Sequence, residues 1–499
     1  MATYHQYSSA VPFFQEQAAA GLPEFDQNRI RAYNLYEQMY WNHPETFRLL
    51  QRGEDQAPIY LPSARKIVEA TNRFLGVDMD FVVEAGEGGT DGDKQLVEDA
   101  FAALFKRERF YTKYISQKRN GLIRGDVIWH ITADPAKPEG ERISIHEVHP
   151  SQYFPIMDPD NDTRVLGCHL VDTVKDPNDD NKQLARVQTY RKTETGSITT
   201  ELALFEIGKW DDRNLEPTDI TKVQQLVNPT ELPPVITSLP VYHIPNGESQ
   251  NGKFGHSLVR GIELVLAAIN QSISDEDLAL VMSGLGGYWT DAAPPINEAG
   301  EPTAWELGPL RMTEVPQGRV VGRLQGVGSV APSQDHIKLL EDSGATGVGV
   351  PDIAMGKVDV AVAESGISLQ FQLSPILAGN AEREMAMIGI YDQMFFDIAR
   401  MWFAAYEGIT TEVSVATIFG DPLPINRAGV IEEVTALVTA KLITIAEGRQ
   451  MLIDRLGLEI SADSAEVLAE QKSLTADPFA ERVNAELGAN DTQEVVPSE

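Results

Sequence analysis

Apolar positions repeat with a helical period near both ends of the chain and in its middle, and with a strand period across much of residues 121–245. Ile30, Tyr33, Leu35, Tyr36, Met39 and Tyr40 fall at helical spacings, which predicts an aromatic-rich amphipathic helix over 28–52. Ser63 is placed to cap a second helix running through Ile67, Val68 and Ala70 to Leu75. The Gly/Glu/Asp-rich stretch Glu84 to Asp93 reads as a loop, and Leu96, Phe101, Leu104 and Phe105 mark a third helix. GLIRGDVIWHITAD, RISIHEVHP and RVLGCHLVDTV are β-branched runs punctuated by turn residues, and LARVQTYRK, ITTELALFEIG and LPVYHIPN are further strands. The first half is therefore expected to be α+β.

Residues 257–283 change character. Leu258, Ile262, Val265, Leu266, Ile269 and Ile273 recur in steps of three and four, predicting a long amphipathic helix that ends near Ser283, before Gly284, Gly286 and Gly287. Residues 284–332 are rich in Pro and Gly with short strand-like pieces, TAWELG and GRVVGRL. Helix is expected to resume at 333–343, with Ser333 as cap and Asp335 in the first turn. Pro351 and Gly356 break the pattern over 350–365. Beyond them Ile367, Leu369, Phe371 and Leu373 alternate, and periodicity leaves 365–380 open between a strand and the first arm of a kinked helix. A helical run from Ala381 to Tyr406, a strand at TEVSVATIFG, a helix capped by Asn426 and a second with a Thr444/Glu447 capping box follow. The acidic stretch from Asp477 onward is expected to pack weakly or not at all.

Composition narrows the function classes. The 499 residues are 42% hydrophobic, ample for real cores, and 41 Lys+Arg stand against 74 Asp+Glu, a net charge of −33. So acidic a surface repels duplex DNA at long range, which argues against tight, sequence-independent DNA binding while allowing DNA to slide past. A lone cysteine, Cys168, excludes an intrachain disulfide and is expected as a small apolar residue on a strand. Neither a signal peptide nor a membrane-spanning run is expected, so the chain reads as soluble and made in a reducing cytoplasm.

Catalytic motifs are weak. Gly356-Lys357 has Pro351 where a phosphate-cradling loop needs its first glycine, and Val358 where it needs Ser or Thr. Asp158, Asp160 and Asp162 alternate like the start of a calcium loop, but Thr163 and His169 stand where the glycine and the bidentate glutamate belong. His130, His146, His149 and His169 lack a paired-ligand spacing. No nucleophile elbow surrounds Cys168 or any serine. The basic, aromatic stretch Lys106–Lys118 is the one candidate nucleic-acid footprint, and an amphipathic helix pairing with acidic neighbours explains it better. No metal, cofactor or catalytic residue is expected.

The order of these pieces resembles the portal proteins of long-tailed double-stranded DNA phages. HIPNGESQNGKFGHSLVRGIELVLAAINQSISD is similar to the portal passage into the first stem helix, and GVPDIAMGKVDVAVAESGISLQFQLSPILAGNAERE to the stem exit, tunnel loop and kinked helix. FGDPLPINRAGVIEEVTALVTAKLITIAEGRQMLIDRLG resembles the stretch leading into the crown, and SARKIVEATNRFLGV an early wing helix. The resemblance implies an elongated α+β subunit: wing 1–256, stem helix 257–283, clip 284–332, second stem helix 333–349, tunnel loop 350–365, kinked wing helix and strand 366–424, α-helical crown 425–475 and acidic tail 476–499. It implies a homo-oligomeric ring, commonly of about twelve subunits, at one capsid vertex of the virion. The implied partners are the terminase large subunit, a head-completion or adaptor protein, major capsid and scaffolding proteins, and double-stranded DNA in the channel. No membrane partner is implied. Lys357, Asp359 and Glu364 would face DNA, while Arg311, Arg319 and Arg323 would meet terminase or connector in the clip. Two other readings stand beside this one: an acidic, cytoplasmic, metal-dependent hydrolase, and a virion adaptor subunit that is not a portal.

Overall fold

A computed structural model describes residues 24–456 except 52–56, 87, 159, 162–163, 177–178, 208–219, 248–253, 286–287, 297–299, 304–316, 324–329, 358–365 and 424–426. The chain divides into two compact units, Met1–Gly420 and Asp421–Glu499.

The first unit opens with helix α1 (Glu24–Tyr40), a short helix α2 (Pro44–Phe47) and helix α3 (Ser63–Phe74). All six of the apolar residues that predicted α1 are buried, but the helix stops at Tyr40, where Asn42 takes a positive φ of 57°. Ser63 does not cap α3; Pro62 holds the cap position, and Ser63 is the buried first residue of the helix. Strand β1 (Asp80–Ala85) takes up Glu84, the start of the expected loop, and Thr90 with Asp93 forms a capping box that launches α4 (Asp91–Glu108). Arg109, in the left-handed region at φ 52°, separates α4 from α5 (Phe110–Arg124), so the basic aromatic stretch is two helices and not one.

Strands β2 (Asp126–Ala133), β3 (Ile143–Val148), β4 (Tyr153–Met157), β5 (Val165–Asp176), β6 (Asp179–Lys192), β7 (Ile198–Ile207), β8 (Ile220–Glu231) and β9 (Val241–Pro245) follow. They form a three-stranded antiparallel sheet in the order β3-β2-β9 and a five-stranded meander β4 to β8. Every strand foreseen in this region is present, although residues 121–124, expected in the first of them, are the last turn of α5; β4 and β8 had no clean alternation to announce them. Cys168 is buried, as expected, in a core cluster with Ile128, Tyr153, Tyr190, Ile198 and Phe254, and burial pushes its thiol up to about 12.

Helix α6 (Glu263–Leu285) begins later than expected, because residues 258–261 form a turn with Gly261 at φ 92°. A small antiparallel pair, β10 (Tyr288–Thr290) with β11 (Val321–Arg323), occupies part of the Pro/Gly-rich stretch. Helix α7 (Ala331–Gly347) starts with Pro332 in its first turn, where the missing N–H costs nothing. Val330, not Ser333, is its cap residue, and Asp335 lies beyond the first turn.

The segment 366–397 resolves as helix α8 (Gly366–Asp397) with Pro375 inside it, so the alternation of 367–373 did not mark a strand. Proline cannot donate to the Phe371 carbonyl one turn back, and the Ser374 hydroxyl donates to that oxygen instead (2.8 Å). A π-helical stretch, Ile398–Glu407, continues it. Strand β12 (Val413–Ile418) then returns to pair with β1, Val83 opposite Val415. Phe81, Phe101, Phe105, Phe110 and Phe395 pack as one ring cluster, Phe105 stacked on Phe110 at 4.3 Å. The Trp129 indole donates to the Tyr391 hydroxyl (3.1 Å) and the Tyr242 hydroxyl to Asp397 (2.8 Å), fixing α8 against β2 and β9.

In the second unit α9 (Arg427–Thr439) and α10 (Ile445–Leu456) form a helical pair. The expected Thr444/Glu447 box is present: the Thr444 N–H donates to Glu447 (2.7 Å) and the Glu447 N–H to the Thr444 hydroxyl (3.2 Å). Asn426 and the acidic tail lie outside the described residues.

Candidate functional site: the α6–α7 hairpin and its root

Helix α6 carries apolar residues on every side, and its only charged residues are Glu263, Asp275, Glu276 and Asp277. At 23 residues it spans about 34 Å. It lies antiparallel to α7. Gly344 of α7 comes so close to Val265 that an added Cβ would lie 3.3 Å from its Cγ1, while the Gln334 amide donates to Glu276 (3.0 Å) nearer the other end. Small residues, Gly344 and Ala345, permit that approach, and both are buried. One partner cannot cover an all-round apolar helix. Leu264 is 82% exposed, Leu280 48% and Val281 46%, and Leu339 of α7 is 62% exposed.

The root of the hairpin is polar and fully satisfied. Asp126, the first residue of β2, is completely buried; its Oδ1 accepts from His243 Nε2 (2.6 Å) and the Gly255 N–H (2.8 Å), its Oδ2 from the Tyr33 hydroxyl (2.5 Å). Burial, then the neighbouring Asp126 carboxylate, raises the Tyr33 hydroxyl well above its ordinary pKa. Gly125 and Gly255 meet back to back, with the Asn246 N–H donating to the Gly125 carbonyl (2.7 Å). Gly125 has φ 105°, and a Cβ there would sit 2.7 Å from the His256 carbonyl carbon. Glu263 opens α6, where its charge suits the helix N-terminus, and accepts from the Tyr36 hydroxyl (2.8 Å) and the Gly261 N–H (2.9 Å). Further along α6, Asn270 and Ser274, both buried, accept the backbone N–H groups of Leu61 (2.8 Å) and Ile59 (2.9 Å). An extended strap ahead of α3 is thereby bound to the helix.

Of the residues expected to carry function, Lys357 lies just past the α7 C-terminus. Its ammonium is held by Asp342 (3.0 Å), Asp352 (3.3 Å) and Glu341 (3.7 Å). Burial works to lower its pKa, but the hydrogen bond to Asp342 and the Asp352 charge outweigh it and raise it. Asp359 and Glu364 lie outside the described residues. In the β10–β11 module Arg319 faces Asp291 (3.7 Å), and Asp291 accepts the Val320 N–H (2.7 Å). Arg323 pairs with Tyr288 through its backbone, its side chain outside the described residues, as is all of Arg311. Of the described side chains in this set, Lys357 and Arg319 have no partner in common.

The remaining candidates resolve into packing. Arg107 donates to the carbonyls of Gly140 and Ile143, and Lys113 pairs with Glu108 (3.0 Å), so the basic stretch braces the loop beside β3. Asp158 caps the β4–β5 turn, receiving the Asp160 N–H (3.0 Å) and facing Arg164 (3.5 Å). His130 meets the Tyr190 hydroxyl (2.9 Å), His146 the Thr132 hydroxyl (2.8 Å) and His169 the Thr189 hydroxyl (2.9 Å). His149 lies 3.7 Å from Glu37, itself bound by Arg124 (3.1 Å). Burial drives the His149 imidazole down to about 4. It also works to raise the Glu37 carboxyl, but His149 and Arg124 prevail and hold that group at about 2. Among the described residues no group of three or more His, Cys, Asp or Glu could hold a metal ion, and no helix is long and apolar enough to cross a membrane. Asp126, Asn270 and Ser274 were not foreseen. The polar run Asn270, Gln271, Ser272 and Ser274 inside the helix was the signal available for the last two.

No family model and no curated protein matches the chain. The neck of an empty GTA particle computed with C6 symmetry resembles it at 12% identity and a TM-score of 0.46, over 84% of this chain and 93% of that one. The neck of a native GTA particle computed with C12 symmetry does so at 12% identity and 0.42, over 84% and 92%. The structural neighbours of this chain thus include particle-neck chains, together with the virion of a native gene transfer agent (12% identity, TM-score 0.41, 89% of this chain and 96% of that one).

Proposed function

We propose that the chain is a portal subunit, one member of a closed ring through which a genome is packaged and ejected. The observation that carries this reading is the α6–α7 hairpin. It is rooted in an α+β body by a fully bonded polar junction and joined through a small β module. Its first helix is apolar on every side over residues 264–269 and 278–282 and leaves Leu264, Leu280 and Val281 uncovered. Identical neighbours on both sides cover such a helix through a head-to-tail contact that closes into a ring. The order of elements along the chain, from wing to crown, supports the same assignment.

In this reading residues 284–332 form the clip that docks terminase and later the connector, with Arg311, Arg319 and Arg323 as its cationic contacts. Residues 350–365 form the tunnel loop, with Asp359 and Glu364 toward DNA. Lys357 has a different part: three carboxylates of its own chain neutralise it, so it anchors the start of the loop. A net charge of −33 per copy lines the bore with negative potential and leaves DNA no adhesive resting place. The role is structural, without a catalytic step.

Native mass spectrometry and class averages of the purified full chain test this. Rings of about a dozen subunits with a central hole are expected; a monomer, dimer or tetramer without a hole overturns the reading.

A further inference from the structure

The chain is strongly acidic, yet one groove of about 530 Å³ is lined by Arg65, Lys66, Arg73 and Arg119 with a single carboxylate, Glu69, among them. Glu69 engages Arg119 (2.8 Å), and Lys66 reaches Glu341 (3.6 Å). Arg65 and Arg73 are exposed and make no ion pair with any described residue. Arg65 lies over the rings of Tyr40 and Trp41, 5.8 Å from each centroid, and Trp41 is 64% exposed. The surface is therefore mixed: the Arg65 guanidinium lies beside an uncovered indole, and a second unneutralised guanidinium, Arg73, lines the same groove. On α6, Asp277, Leu280 and Val281 sit at positions i, i+3 and i+4 of one face, all exposed, and Asp277 has no cationic partner among the described residues. That face has the complementary composition, one carboxylate flanked by two aliphatic side chains.

We infer that the groove on α3 receives the Asp277, Leu280 and Val281 face of α6 from a second copy of this chain. Asp277 lies between Arg65 and Arg73, and the two aliphatic side chains cover Trp41. The inference rests on the ring reading and supplies one of its contacts. Each copy carries both halves of the contact on different surfaces, so the interaction is head-to-tail, the kind of contact a ring requires. DNA is the other anion that could seek the groove, but the net charge of the chain repels it at long range, and phosphates bring nothing to cover an exposed indole at a helix face.

Charge exchange in the full chain tests the pairing. Arg65→Glu/Arg73→Glu and, separately, Asp277→Arg are each expected to raise the concentration at which rings dissociate by at least about tenfold, a change worth about 1.4 kcal/mol per decade. Unchanged hydrogen-exchange protection of β2 and the Phe101 ring cluster would show that the subunit fold persists. Combining the three substitutions is expected to restore rings. A dissociation concentration that stays at the wild-type value in either single-sided variant, or that the combination fails to bring back, overturns the inference while leaving the portal reading intact. Rings that persist in Arg65→Glu/Arg73→Glu while DNA retention is lost assign the groove to nucleic acid and also overturn it. A wild-type chain that forms no rings removes the portal reading and this contact with it.

Discussion

Replacing Asp126 by alanine removes the acceptor for three donors at the root of the hairpin: the Tyr33 hydroxyl, His243 Nε2 and the Gly255 N–H. A buried donor left without a partner costs about 1–3 kcal/mol. Tyr33 is 2% exposed and bears that cost in full, whereas the His243 side chain, 15% exposed, can turn toward water. The expected loss is about 3–5 kcal/mol, the sum over three donors at about 1–3 kcal/mol each with His243 discounted for its access to water. Asp126→Asn should cost less, about 1–2 kcal/mol, because the amide oxygen still accepts from Gly255 and His243. The Tyr33 hydroxyl can then reverse its role and accept from the amide nitrogen. Two compact units need not unfold together, so a single global melting curve is a poor readout. Hydrogen exchange over residues 254–262 reports the junction directly, since the Gly255 amide is itself one of the three donors. At about 1.4 kcal/mol per decade, Asp126→Ala should speed exchange there at least about a hundredfold, and Asp126→Asn about tenfold. Acceleration below about threefold in the alanine variant would refute the claim that this carboxylate fixes the approach to α6.

Other perturbations probe separate parts of the molecule. His130 is buried and its imidazole is lowered to about 3, so the unfolded chain takes up a proton near 6.5 that the folded one refuses. Stability should fall by about 2 kcal/mol between pH 6.5 and 5 from this residue alone, and an acid-unfolding series of His130→Gln should show a flatter slope over that window. Gly344→Leu should wedge α7 away from Val265 at about 1–3 kcal/mol and deprotect both hairpin helices in hydrogen exchange, while Gly344→Ala asks Val265 to move only slightly. Thr90→Ala removes the acceptor for the Asp93 N–H at the start of α4, at a cost of about 1 kcal/mol, and should appear as faster exchange over 91–97 without loss of the ring cluster around Phe101.

Much of the secondary structure was written locally. Steps of three and four in α6, the Thr444 box and the alternation of β5 to β7 are statements about neighbours in sequence, and each appears where its pattern lies, save that α6 starts after Leu258 and Ile262. Where local signals erred, a longer-range contact had taken over. The alternation of 367–373 was overruled because those residues continue into a helix, α8, anchored by Tyr391 and Phe395 against β2 and the ring cluster. Strand β1 was read in part as loop because its partner, β12, lies more than three hundred residues away. The long helices, the small module between two of them and the acidic surface were thus determined by the sequence alone, since periodicity and charge are properties of the chain itself. The Asp126 junction and the placing of Arg65 over Trp41 were decided only by tertiary structure. Each depends on side chains brought together from separate segments, and no spacing along a chain encodes which distant donor will fill a buried acceptor.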